Sequence, residues 1–127
     1  MKTPILVAAA IALTACASPG AAVQTAPYAA EQNSFTGWVR FSEGEFQLYA
    51  DRDQVLQPFS RPCLSGAAGR DIMRMSGDLS GMRVTVTGRT QAWSRDLPGH
   101  RIPHEGSVIR NVCGGAFVVL ADSIRPV

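Results

Sequence analysis

The chain has 127 residues, is 46% hydrophobic and 17% charged, and has room for one soluble-type domain and no second one. Its formal charge is +2, but its only lysine is Lys2, so 12 basic residues less Lys2 leave 11 arginines against 10 acidic residues. That near-balance gives no electrostatic case for nucleic acid, and a GC-rich genome accounts for the all-arginine positive charge at least as well as a need for bidentate anion contacts does.

In chain order the first element is an address. Lys2 supplies a positive start, and Ile5 to Leu13 is a nine-residue apolar run ending in small residues, the layout of a signal peptide over residues 1–15. Counted from Pro4 to Ala17 the stretch is 14 residues, short of the ~20 that a membrane-spanning helix needs. Two cleavage readings stay open. Ala15-Cys16-Ala17 satisfies the ordinary small-x-small rule, which would release a soluble periplasmic or secreted protein beginning at Ser18. Leu13-Thr14-Ala15-Cys16 resembles the lipobox of bacterial lipoprotein precursors. That resemblance implies a diacylglycerol on Cys16, cleavage just before it and stable membrane residence. Ala17, where an Asp would hold such a protein at the inner membrane, implies the outer membrane, facing the periplasm.

Residues 16–34 then read as the lipidated Cys16 and a flexible tether, "ASPGAAVQTAPYAAEQNS" after the cysteine. Those 18 residues hold the domain roughly 20 to 25 Å from the membrane on average. The globular unit is expected over 35–127. "FTGWVRF" alternates Phe35, Gly37, Val39 and Phe41 against Thr36, Trp38 and Arg40, and Ser42-Glu43-Gly44 turns it into "EFQLYA", where Phe46, Leu48 and Ala50 share a face. "DRDQVLQPFSRP" reads as a polar connection with Val55, Leu56 and Phe59 plugging the core, its prolines opposing a long regular element. A short strand near Cys63 and a short helix near Gly69, burying Ile72, Met73 and Met75, come next. "MRVTVTGRTQAW" is the strongest strand, with Val84 and Val86 inward, Arg83, Thr85 and Thr87 outward, and Gly88 at a bulge or corner. "SRDLPGHRIPHEGS" reads as a long loop, before "VIRNVC" and a closing strand in "AFVVLADSIRPV".

These elements predict a mainly β fold: a small closed or partly open β-barrel of five to six strands with at most one short helix. "GMRVTVTGRTQAW" followed by "AFVVLADSIRPV" resembles the later strands of OB-fold proteins, including small exported ones. The OB resemblance implies a ligand surface on one barrel face, built from exposed aromatics and arginines. Trp38, Arg40, Tyr49, Arg83, Arg89 and Trp93 are the candidates for it.

With Cys16 lipidated, Cys63 and Cys113 remain in a compartment that permits disulfides, and they are expected to pair. His100 and His104 sit at i, i+4 spacing, but Pro103 lies between them and no acidic partner is placed as in H-E-x-x-H. They read as solvent-exposed loop residues, with no metal site. Asp51 and Asp53 read as a solvated turn, since no calcium-loop register follows them. No nucleophile motif or phosphate-binding loop is present, so no catalytic residue and no cofactor are assigned. The expectation is a lipid-anchored envelope protein, not an enzyme, whose barrel binds or scaffolds an envelope protein, a peptide or a glycan, with no nucleic acid. An inhibitor-type periplasmic lipoprotein of the lysozyme-inhibitor class is the alternative, and a metal-binding envelope protein a weaker one.

Overall fold

The computed structural model describes residues 27–57 and 60–127, so the signal segment, Cys16, most of the tether and Phe59 lie outside the described residues. β1 (Ser34–Ser42) and β2 (Glu45–Tyr49) form the expected hairpin, with Ser42 opposite Glu45. Glu43 and Gly44, both at positive φ (58° and 80°), make the two-residue turn whose twist suits antiparallel strands. The period-two reading holds on the inner face, where Phe35, Val39, Phe46 and Leu48 are fully buried.

Five strands close the barrel in the order β1, β2, Leu64–Ala68 (β3), Phe117–Pro126 (β7) and Arg83–Ala92 (β4), with β4 pairing back onto β1. β3 and β7 run parallel; the other neighbours are antiparallel. α2 (Arg70–Met75) lies in the chain between β3 and β4, which completes an OB-like arrangement. β1 closes the ring by serving two neighbours: Ser34 to Trp38 pair with β4, and Trp38 to Ser42 pair with β2. Gly88 stands at the register shift that bends β4, and a Cβ there would run into the Leu120 carbonyl oxygen.

The connection between β4 and β7 is not the structureless loop expected. β5 (Ile102–His104) and β6 (Ser107–Ile109) form a second hairpin, outside the barrel, bringing the strands among the described residues to seven. It exists because Ile102 and Ile109 cover Ala67, Val118 and Leu120 on the barrel's outer surface, with Trp93, Leu97 and Met73 packed alongside. "FVVLA" in β7 is therefore buried on both faces, which is why it reads as a continuous apolar run and does not alternate. His104, expected in solvent, is buried here, and its Nε2 donates to the Ala121 carbonyl at 3.0 Å; His100 is exposed.

Two helices form where at most one was expected. The additional one, α1 (Arg52–Val55), starts at Asp51, whose backbone N–H donates to Gln54 Oε1 (3.2 Å) in a capping box. It buries Val55 but leaves Leu56 70% exposed, so Leu56 is no core plug. Likewise α2 half-buries Ile72 and Met73 while Met75 stays 80% exposed. At about 3.6 residues per turn Met73 and Met75 point to nearly opposite sides of the helix, so the three apolar side chains cannot share one face.

The core also reaches into the stretch assigned to the tether. Tyr28 packs edge-on against Phe35 with ring centroids 6.0 Å apart, and its hydroxyl donates to the Thr36 carbonyl at 2.9 Å. The folded unit therefore takes in residues ahead of Phe35.

Candidate functional site

The outer face of β2 is where the site forms. Glu45, Gln47 and Tyr49 alternate with the core residues and read as solvent-facing, yet all three are buried. The cover is the end of the β4–β7 connection. Glu45 Oε1 accepts from the backbone N–H groups of Arg110 (2.7 Å) and Asn111 (2.9 Å), and Oε2 accepts from Val112 N–H (3.1 Å) and Gln47 Nε2 (3.1 Å). One carboxylate thus gathers three successive amides, in the manner of an anion held in a backbone nest. Just beyond, Cys113 N–H donates to Ser65 Oγ (2.9 Å), and Cys113 is disulfide-bonded to Cys63, as expected from the sequence.

Beside this cover lies a pocket of about 530 Å³, lined by Arg40, Ser42, Tyr49, Ser60, Arg61 and Val112, with Gln47 and Cys63 behind and Glu43 on its wall. Arg40 is placed by β1 and Arg61 by the approach to Cys63. Each commits one nitrogen to a backbone carbonyl: Arg40 Nη2 to Val55 O at 2.6 Å, Arg61 Nη2 to Val112 O at 2.8 Å. Each bond anchors one end of its guanidinium and leaves most of the five N–H donors uncommitted. Ser42 Oγ donates to Gln47 Oε1 at 2.8 Å, which holds the amide side chain along the floor. Burial raises the Tyr49 hydroxyl above its ordinary pKa, opposed by the positive charges of Arg40 and Arg61. Chemically the arrangement offers oriented cationic donors and hydroxyls beside an apolar wall; it can bind an anion, and it contains no paired acid and base.

Burial also pushes the Tyr28 phenol up to about 12, with Arg83 lowering it and Asp51 raising it by smaller amounts. These are the chain's two tyrosines, and in the unfolded chain both ionise near ~10. At pH 10 the native protein should therefore absorb less at 295 nm than the denatured protein, in which both tyrosines are about half ionised. Because the folded pKa lies above the unfolded one, the stabilisation is fully present below pH ~10 and is lost as pH rises through 12. Native protein that absorbs as much as the denatured chain at pH 10 would contradict the packing described for the rings.

The six predicted surface residues do not form one patch. Tyr49, Trp38 and Arg83 fall on one row across β2, β1 and β4, with Arg40 two residues along β1. Trp38 is half-buried against Tyr49, Val55 and the disulfide, and carries the Arg52 guanidinium over its ring at 5.6 Å. Arg89 lies past the bulge in β4, exposed, and Trp93 packs under the outer hairpin. Arg61, Ser60, Ser42 and Gln47 were not anticipated. The one signal for Arg61 was its place two residues before a cysteine expected to be cross-linked. Among the described residues no group of three or more His, Cys, Asp or Glu could hold a metal ion, and no helix is long and apolar enough to cross a membrane.

Fold and site together define a disulfide-linked OB-like barrel whose outer β2–β3 face is roofed by its own β4–β7 connection, with an arginine-lined pocket at the edge of the roof. The chain matches no family model, no curated protein and no solved structure.

Proposed function

We propose that this is a lipid-anchored protein of the bacterial cell envelope, tethered through Cys16 to the outer membrane and facing the periplasm, whose barrel is a binding or scaffolding module and not an enzyme. The observation that carries the reading is the pairing of Cys63 with Cys113. It leaves Cys16 as the odd cysteine of three, at the lipobox position, and a disulfide suits an exported protein. Support for binding comes from the pocket beside the roof, whose arginines are oriented by backbone carbonyls before any ligand arrives. The partner is then an envelope protein, a peptide or a glycan. Two acyl chains or more would make membrane residence stable.

Growing the source cells, or a bacterial host expressing the chain, with an alkyne-tagged palmitate should label the wild type and leave Cys16→Ser unlabelled. Wild-type protein that accumulates without label would overturn the anchor.

A further inference from the structure

The pocket beside the disulfide has more recognition capacity than the barrel uses. Arg40 and Arg61 come from different segments, and so do their carbonyl partners, Val55 at the end of α1 and Val112 next to the disulfide. Each guanidinium already has one anchor before a ligand binds, which reduces a cost that long side chains ordinarily impose. Of the charged groups on the lining, Arg40 and Arg61 are positive and Glu43 is negative, a sum of +1 that complements one carboxylate and falls short of a dianion. The Tyr49 ring, Cys63 and Val112 supply apolar wall, and the volume of about 530 Å³ exceeds what a bare small ion occupies and falls within the range of small-molecule and peptide-end sites.

We propose that the pocket formed by Arg40, Tyr49 and Arg61 binds a carboxylate carried on a small, partly apolar body, and that the source of this chemistry is the C-terminal end of a peptide. The inference rests on the binding-module reading and assigns its ligand class. The two guanidiniums take the carboxylate oxygens through their free N–H groups, and the Tyr49 hydroxyl donates as a third group. The apolar wall receives the terminal side chain. Glu43 disfavours a second negative charge.

The test is a titration of the purified full chain in non-ionic detergent, followed by ¹H–¹⁵N correlation spectra that include the arginine Nε–H signals. The probes are N-acetyl-Ala-Ala, its C-terminal amide, propionate and inorganic phosphate. Saturable shifts of Arg40 and Arg61 are expected with the free acid, weakened about ten-fold or more by amidation and by Arg61→Gln, whose native contact is a single solvent-exposed bond. Tyr49→Phe keeps the ring and should weaken binding by a smaller factor, so the site stays testable if Arg61→Gln perturbs the roof.

Equal binding of acid and amide, or shifts untouched by both variants, would overturn the site. Propionate binding as tightly as the peptide acid would overturn the peptide source, and tighter phosphate binding would overturn the carboxylate. The result is separable from the broader reading. A flat titration from a chain that still crosslinks to envelope partners removes this pocket and leaves the binding module, while loss of palmitate label leaves the titration untouched.

Discussion

Replacing both Cys63 and Cys113 by serine should lower the unfolding free energy by about 4 kcal/mol, the loop-entropy value for a link spanning 50 residues. That is a large share of the net stability of a domain this size. The effect extends beyond the unfolded chain, because the bond also ties the end of the β4–β7 connection to the start of β3. With the link cut, Cys113 N–H and its bond to Ser65 Oγ lose their anchor, and the end of the roof over β2 depends more heavily on Glu45. Urea denaturation of the oxidised protein and the double serine variant reads the energy, and amide exchange at Arg110 to Cys113 reads the loosening. A change below about 1 kcal/mol, with those amides still protected, would show that the packing of Tyr49 and Val55 around the bond suffices without it.

The two layers of this protein differ in how far their sequence announces them. β1, β2 and β4 are readable because their apolar residues alternate towards a single core. Phe35 and Val39, Phe46 and Leu48, Val84 and Val86 recur at period two, and local pattern is enough to find them. Gly88 also reads correctly, since a glycine inside a strong strand marks a bulge. The outer layer has no comparable signature. β5 and β6 are three residues each, too short to show a period, and Pro103 within β5 argues locally for a loop. What makes the hairpin form is apolar surface on β3 and β7 that only the closed barrel brings together.

The same gap explains the site. Glu45, Gln47 and Tyr49 have the alternation of a solvent face, and nothing near them in sequence reveals a cover whose amides lie 65 to 67 residues away. Tyr49 and Arg40 were among the sequence candidates because aromatics and arginines on a strand's outer face are recognition residue types. Arg61 was hidden within an irregular, proline-bearing connection, where no period assigns a side chain to a face.

Glu45→Ala should cost about 3 to 4 kcal/mol, nearly as much as losing the disulfide, although a carboxylate on the outer face of a strand ordinarily contributes little. The side chain is fully buried and is the acceptor for the N–H groups of Arg110, Asn111 and Val112. Removing it strands three amides beneath the roof, each worth about 1 to 3 kcal/mol if left dry, and partial entry of water lowers the sum. Glu45→Gln separates charge from shape. Its carbonyl still accepts, but its NH₂ meets an N–H donor where Oε2 stood, so about 2 kcal/mol is expected. Because Glu45 and the disulfide restrain the same segment, their effects should not add: in the double serine background the roof is already loosened, and Glu45→Ala should cost less than it does alone. Chemical denaturation of the four proteins in this cycle measures the coupling. Full additivity, or a Glu45→Gln variant within about 0.5 kcal/mol of wild type, would mean that the roof is held by its apolar hairpin and not by this carboxylate. With coupling as expected, the arginine pocket depends on both restraints, since Val112 positions Arg61, supplies the last amide on Glu45 and directly precedes the cysteine of the bond.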